Sequence, residues 1–580
     1  MESTKFTKSS EQLLFQPVAN WRPQRHSYVP RTGSPGTAED KVAHMKTAVI
    51  ALFLITISPS LFAADERPNI LICISDDVSF PHASAYGSKM VSTPAFDRIA
   101  ANGVLFNNAF CPAPGCSPSR AALLTGRHIW MIEEAGTHAS FFQTKYRSFP
   151  EVLAEAGYFS GSVGKGWAPG NFQKDGRKQN PAGPAYSAKG GYVAGFQKFL
   201  NEKPADQPFC FWFGSSDAHR SYKKGSGLQK GKTLEQAEVP AFLPDHPEIR
   251  SDLLDYAFEV ERFDDDCDQM LKILGASGQL ENTLVIITSD NGMPFPRAKA
   301  NCYEFGVHMP LAISWAKQIP KSRTWDDLIG FVDLTATIYE AAKVTPPTDF
   351  PVVGKSLLTD LKSDSTGIAD SKREAVFFGR ERHSSSRFNS LGYPQRAIRT
   401  QQYLFVHNLT PERWPAGPGQ RFDSVTYAAD GSIVSSKPSE PHAGYHDIDE
   451  CPSLTFLVNH HDDPELGKYL QWSVAIRPEY ELFDIQQDPA CLNNLAEAPE
   501  LMGTRNRLAE RLKAELKATG DARTNSDGSG NVWETYPRVS GLRWFPTPEW
   551  AQNDPSKVPT QTWVEDKRPT KQQKPEGNDE

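Results

Sequence analysis

The sequence has no Cys-x-x-Cys pair and no other zinc-like spacing, which excludes zinc fingers and ribbons. Its eight cysteines are scattered: Cys73, Cys111, Cys116, Cys210, Cys267, Cys302, Cys451 and Cys491. An oxidising compartment would permit a disulfide or two, with the pairing left open. The apolar run in TAVIALFLITISPSLFAADE, after Met45-Lys46, is too short for a good bilayer span, so no stable membrane span is expected. No cysteine follows it, so no lipoprotein anchor is expected either. A large excess of either charge is missing as well: the net charge is -8, and nothing suggests nucleic-acid binding, although a mildly acidic chain can own a local basic pocket. There are no internal repeats. SGSVGKG lacks the first glycine and the final Ser/Thr of a phosphate loop. DDPELG has no calcium-loop pattern, and His460-His461 reads as a surface pair.

What is present fits a soluble globular protein, with 39% hydrophobic and 23% charged residues. At 580 residues the chain exceeds one compact domain, and two are expected, plus tails. Residues 1–44 are polar and aperiodic and are expected to be a disordered extension, with translation starting at Met45. Residues 45–64 read as a signal peptide: one positive residue, a short apolar core and small residues at Ala63-Ala64. The mature protein would then begin near Ala64 and be exported, periplasmic or secreted; a buried core helix is the competing reading. Residues 65–372 form a first domain, 373–545 a smaller one, and 546–580 a loose tail rich in Pro, Lys, Gln and Asp.

From Arg67 onward short apolar runs alternate with helix-like stretches, the signature of an α/β fold with a large, mostly parallel sheet flanked by helices. Four apolar runs end in polar groups: PNILICIS at Asp76-Asp77, GYFSGSVG at Lys165, PFCFWFGSS at Asp217-Ala-His219, and NTLVIITS at Asp290-Asn291. Runs without alternation belong to strands buried on both faces. In such sheets ligands bind beyond the carboxyl ends of the strands. One polar ending is what any chain leaving a core does; four together suggest a site. Between the strands, TPAFDRIAANG has Thr93 as N-cap, Pro94 in the first turn and Gly103 as stop, and SFPEVLAEAGY repeats the pattern. Tyr256, Val260, Phe263, Met270 and Ile273 recur at helical spacing and read as core. After about Lys372, strand-and-turn segments, YELFDI and the helical ELMGTRNRLAERLKAELKAT predict a smaller antiparallel sheet with a terminal helix.

Asp76, Asp77, Asp290 and Asn291 offer hard oxygen ligands, suited to Ca²⁺ and less so to Mg²⁺, not to zinc. Taken singly, Asp-Asp is a helix cap and Asp-Asn-Gly a turn; the set favours a metal. CSPSRAALLTGR puts Cys116 just before Pro118, at a helix N-terminus that stabilises negative charge. Arg120 lies one turn on, on the same face. A cysteine there is expected as a low-pKa thiolate or something derived from it. An oxygen nucleophile would match a hard cation better.

Cys-x-Pro-Ser-Arg followed by Leu-Thr-Gly-Arg resembles the signature of the sulfatase family, and the Asp-Asp pair, Gly-Lys and Ser-Asp-Asn-Gly agree in order and spacing from about Arg67 to Leu516. The resemblance implies an alkaline-phosphatase-like fold and a cysteine oxidised to formylglycine, whose hydrate is the nucleophile. It implies that Asp76, Asp77, Asp290 and Asn291 hold Ca²⁺ together with the modified Cys116. Arg120 would brace the hydrate, Lys165 and Lys299 would bind sulfate oxygens, and His219 would be the candidate general acid. It implies two partners, a sulfated carbohydrate and a sulfatase-maturing (formylglycine-generating) enzyme. The sequence departs from the pattern twice. Trp167 stands where many relatives have a histidine two residues after the lysine, which leaves the base open between His128 and His138; His308 stands where arginine is common.

Asp217-Ala-His219-Arg220, SDNGMPFP and YPQRAIR are similar to heparan N-sulfatases (N-sulfoglucosamine sulfohydrolases) and their bacterial relatives. Arg380, Arg382, His383, Arg387 and Arg396 form a basic cluster, either gripping a sulfated or carboxylated sugar or making a solvated sheet face. The substrate implied is a sulfated sugar, N-sulfoglucosamine among the candidates. O-sulfatase activity on another polysaccharide, a phosphodiesterase of the same superfamily, and an unmodified glycan-binding relative are the alternatives.

Overall fold

The computed structural model describes residues 67–427, 433–438, 444–525 and 527–539. The expected extension, signal peptide and loose tail lie outside the described residues. The chain builds β1 (Asn69–Ser75), β2 (Val104–Phe110), β3 (Phe159–Gly164), β4 (Ala185–Tyr186), β5 (Phe209–Gly214), β6 (Thr283–Ser289), β7 (His308–Ser314), β8 (Arg323–Trp325) and β9 (Ile329–Gly330). These form one nine-stranded sheet in the order β4-β3-β5-β1-β6-β7-β2-β8, with β9 also on β2. Strands β4, β3, β5, β1 and β6 run parallel, while β7 pairs antiparallel with both β6 and β2. The result is the mixed, mostly parallel sheet expected.

The unbroken apolar runs have a direct cause. In β1 and β6, Ile70, Ile72, Ile74, Leu284 and Ile286 enter one core, while Leu71, Cys73, Val285 and Ile287 enter another on the opposite face. Helices cover both sides, so period-two alternation has no solvent face to mark. The helix Pro94–Ala101 stops before Asn102, one residue short of the expected Gly103, and Thr93 makes no cap bond to it. The Thr93 hydroxyl instead accepts the Ser84 N–H at 2.9 Å. The free N–H groups of Ala95 and Phe96 donate to Asp264 at 2.8 and 2.9 Å, from the long helix Pro247–Ala276. Tertiary capping thus displaces the local one. At Ser148 one half of a capping box forms, its backbone N–H donating to Glu151 Oε2 at 2.9 Å.

Beyond the large sheet, β10 (Val376–Arg380), β11 (Gln395–Arg399) and β12 (Tyr403–Asn408) begin a second sheet. A hairpin, β13 (Phe422–Tyr427) and β14 (Ile433–Pro438), stands apart, and β15 (Tyr480–Asp484) completes the second sheet, antiparallel in the order β10-β11-β12-β15. The helix Met502–Ala518 packs Leu508, Leu512 and Leu516 into the same core as Phe378, Ile398, Phe405 and the large-sheet residues Phe106 and Phe110. No described helix is long and apolar enough to cross a membrane.

Candidate active site

Strand register assembles the acids. β1 and β6 are parallel neighbours with Ser75 opposite Ser289, so Asp76-Asp77 and Asp290-Asn291 leave the sheet side by side. The Asp77 N–H donates to Asp290 Oδ1 at 3.2 Å, and Asn291 Nδ2 to Asp77 Oδ1 at 2.7 Å. The helix Cys116–Thr125 points its first turn at this pair; Cys116 Sγ lies 3.4 Å from Asp76 Oδ1 and 3.9 Å from Asp77 Oδ1. Ligand atoms of Asp76, Asp77, Cys116 and Asp290 all fall within 4.8 Å of one another, and all four residues are buried. Asn291 Oδ1 is buried with no hydrogen-bond partner. Three carboxylates and an orphaned amide oxygen in one buried place fit a hard divalent cation.

Cations from the chain surround the acids. Arg120 donates Nε to Asp290 Oδ2 at 2.6 Å and one terminal nitrogen to the Lys165 carbonyl at 2.6 Å; its other terminal nitrogen is buried without a partner. Lys165 Nζ pairs with Asp76. Lys299 Nζ bridges Asp77 Oδ2 at 2.7 Å and Asp449 Oδ2 at 2.9 Å. His219 Nδ1 meets the Arg220 carbonyl at 2.5 Å, leaving Nε2 4.0 Å from Asp77 Oδ2. Its side chain is 38% exposed, so it stands where a substrate could reach it.

These contacts set the charge states. Burial pushes the Asp76 carboxyl up, but Lys165, with His219, Arg120 and Lys299, outweighs it and holds the group below the usual range. Burial raises Asp77 to about 6, Lys299 only partly opposing it. Both lysines are held well above their ordinary value because the neighbouring carboxylates outweigh burial. Cys116 departs from expectation. Burial first, then Asp76 and Asp290, push its thiol well above the ordinary value, against Lys165 and Lys299. For an unmodified cysteine, burial and the neighbouring acids outweigh the helix N-terminus.

Five sequence candidates, Asp76, Asp77, Cys116, Asp290 and Asn291, meet in one place, with Arg120, Lys165, Lys299 and His219 around them. The basic cluster has different surroundings. Arg380 and Arg387 both pair with Asp447; Arg396 pairs with Glu381 and Asp521; Arg382 donates to the Tyr536 and Pro537 carbonyls. All four are buried, so the cluster is not a solvated sheet face, while Arg380, Arg382 and Arg387 each keep a buried guanidinium nitrogen without a hydrogen-bond partner. His383 alone of that group touches the nucleophile's segment: a carbon added at Gly115 would lie 2.8 Å from its Nδ1. Trp167 is 1% exposed, with Nε1 donating to the Ser117 carbonyl at 3.0 Å, a packing role under the Cys116 helix. His308 is stacked between Phe80 and Phe110 and bonded to Glu304 and the Asn107 carbonyl. His128 stacks on Trp130 and faces Glu515, away from the acids. Asp449 was not visible in the sequence: it arrives from a loop 150 residues beyond its lysine, with no strand end to flag it.

Comparison with known proteins agrees with this geometry. The Sulfatase family model matches residues 68–344. Human N-sulphoglucosamine sulphohydrolase is 30% identical over 390 residues, 59% of this chain and 74% of that protein. The chain belongs to the sulfatase family. It is therefore a hydrolase of sulfate esters or sulfamates. An ulvan-active sulfatase of Formosa agariphila is 24% identical over 507 residues, 79% of this chain and 76% of that one. A structure solved in complex with its substrate D-glucosamine-2-N,6-O-disulfate superposes with a TM-score of 0.56 at 19% identity, covering 80% of this sulfatase and 99% of that chain. At that identity the likeness speaks for the fold.

Proposed function

We propose that this protein is an exported sulfatase that removes sulfate from a sulfated glucosamine, N-sulfoglucosamine first among the candidates, using formylglycine made from Cys116 and a bound Ca²⁺. The observation that carries the reading is the convergence of Asp76, Asp77, Asp290 and residue 116 within 4.8 Å, flanked by Lys165 and Lys299. The substrate assignment is supported by the 30% identity to the human N-sulphoglucosamine sulphohydrolase.

Asp76, Asp77, Asp290 and Asn291 would hold the cation, which supplies a positive field that draws a sulfate oxygen and acidifies a neighbouring hydroxyl. A hydrated aldehyde at residue 116 supplies hydroxyl oxygen, which matches a hard cation better than sulfur does. Arg120 sits one turn along the same helix, with a terminal nitrogen free to brace it. Lys165 and Lys299 offset the negative sulfate oxygens and the charge that grows as the sulfur–oxygen bond breaks. His219 protonates the departing sugar oxygen or nitrogen. A formylglycine hydrate at residue 116 would supply two hydroxyls, one to bond the sulfur and one to re-form the aldehyde and release sulfate without water attacking the sulfur again. Residue 116 is 1% exposed, so a maturing enzyme must act on it before the chain folds.

The test is a panel of N-sulfated and O-sulfated glucosamine disaccharides, with phosphate diesters alongside. Enzyme is used whose conversion at Cys116 has been quantified by mass spectrometry. Release of sulfate from the N-sulfated sugar in proportion to conversion supports the reading. Preference for phosphate diesters, or full activity with an intact thiol, overturns it.

A further inference from the structure

Regenerating the aldehyde requires a proton acceptor at residue 116, and most nearby groups are disqualified. Lys165 and Lys299 are held cationic by Asp76, Asp77 and Asp449. The carboxylates of Asp76, Asp77 and Asp290 face the cation site. Trp167 has no basic atom, and its indole N–H is bonded to Ser117. His219 stands on the exposed side, where the leaving group departs.

Two imidazoles remain beside the Cys116 helix start. His383 crosses Gly115, the residue before Cys116, so closely that a carbon there would meet Nδ1 at 2.8 Å and Cε1 at 3.3 Å. Gly115 has an extended backbone, φ -167° and ψ 145°, that any residue adopts. Closeness to the imidazole, not backbone conformation, is what demands glycine there. His138 packs on His383, ring centroids 4.6 Å apart. It is anchored by its own N–H to the Arg382 carbonyl at 3.1 Å, and Ala139 N–H donates to Ser117 Oγ at 3.1 Å. His138 Nδ1 is buried without a hydrogen-bond partner. Among the described residues no hydrogen bond engages the His383 ring, and the residue is 7% exposed.

We propose that His383, held in place by His138, is the base that takes the proton of the second hydroxyl at residue 116. The step is a simple elimination. The O–H bond breaks, with its proton passing to the imidazole; the carbon–oxygen double bond forms; and the bond from carbon to the sulfate oxygen breaks, releasing sulfate. Nothing is oxidised or reduced. Burial, with Lys299 and Arg380, holds the His383 imidazole below its ordinary value, against Asp447 and Asp449. His138 is a positioning residue: its ring supports His383 and need not touch substrate.

The inference rests on the formylglycine reading, and the experiment separates the two. His383→Ala is compared with wild type in a stopped assay, and the peptide carrying residue 116 is weighed in both. The expected result is release of one equivalent of desulfated sugar per converted active site, then turnover slowed by roughly 100-fold or more. Residue 116 should gain the mass of one SO₃ over its hydrate, or of one H₂SO₄ over the aldehyde. Added imidazole should restore turnover in His383→Gly, and His138→Phe, which keeps the stacked ring but no ring nitrogen, should trap less adduct than His383→Ala. If His383→Ala fails to fold, His383→Gln carries the same comparison. Loss of turnover with no burst and no adduct, or unchanged turnover, overturns the role of His383. Trapping by His138→Phe instead would move the base to His138. An unmodified, fully active Cys116 in wild type would sink the formylglycine reading itself.

Discussion

Replacing Arg396 with methionine should unfold the protein more readily while leaving the active site of the folded fraction intact. The guanidinium is 0% exposed and fully engaged. Nε meets Asp521 Oδ2 at 2.7 Å; one terminal nitrogen meets Glu381 Oε1 at 2.6 Å and Asp521 Oδ1 at 3.2 Å; the other meets the Gln395 carbonyl at 2.9 Å. Removing it leaves Glu381 with Arg523. Asp521, also 0% exposed, keeps only backbone support, from the Arg523 N–H at 3.1 Å. Breaking a buried pair and stranding one carboxylate costs about 3–5 kcal/mol. The stacking of the guanidinium over Trp130, 5.4 Å from the ring centroid, adds about 1 kcal/mol. Methionine refills the stem, so little is lost in packing. Urea denaturation gives the stability change, and initial rates on a sulfated disaccharide, normalised to folded protein, give KM. A loss below about 1 kcal/mol, or a tenfold rise in KM at unchanged stability, would refute the reasoning and return Arg396 to substrate binding. A second substitution, Asp521→Leu, should recover part of the loss, because the stranded charge is then gone.

Calcium stripped with a chelator should lower the melting temperature and abolish turnover, both returning with added Ca²⁺; saturation at one hundred times Kd stabilises by about 2.7 kcal/mol, and no shift in scanning fluorimetry with Ca²⁺ or Mg²⁺ would count against the cation site. Lys299→Ala strips the counter-charge from Asp77 and Asp449 and should cut kcat/KM by roughly 100-fold or more, a fall under tenfold contradicting its place at the sulfate. Glu534 carries the acid dependence of the C-terminal segment: burial raises its carboxyl, but Arg413 and Arg523 outweigh it and bring it from 4.5 to about 2. A folded value below the unfolded one means stability that is present above 4.5 and lost as pH falls through about 2. Glu534→Gln should therefore cost on the order of 3 kcal/mol at pH 7 and less as the pH approaches 2, read by urea midpoints at both; equal losses at both would refute it.

The acids were legible because the sheet makes them so. Parallel strands in register, Ser75 beside Ser289, turn two distant Asp-containing strand ends into neighbours. A reader who infers the strands infers the contact. Cys116 was legible for a similar reason, since Pro118 and Gly126 bracket a helix whose start must face the strand ends. No such rule governs loops. Asp449 and His383 reach the site from segments whose path no periodicity encodes, 150 residues from Lys299 in the first case.

The salt-bridge partners of the arginine cluster were hidden for the same physical reason, reversed. Its charges sit together in sequence, whereas their counter-charges do not: Arg396 and Asp521 are 125 residues apart, Arg380 and Asp447 67. Read without those partners, buried guanidiniums look available for an anionic sugar. With the partners in place, they join the second sheet to the loops and the last turns of the chain. That framework holds His383 against Gly115: Asp447 binds Arg380 and Arg387 and accepts the Ser384 N–H at 2.9 Å, fixing the residue next to His383. The smaller sheet thus acts on the chemistry by delivering one imidazole to the helix start, and substitutions deep in the arginine lattice should slow catalysis only as far as they let that imidazole move.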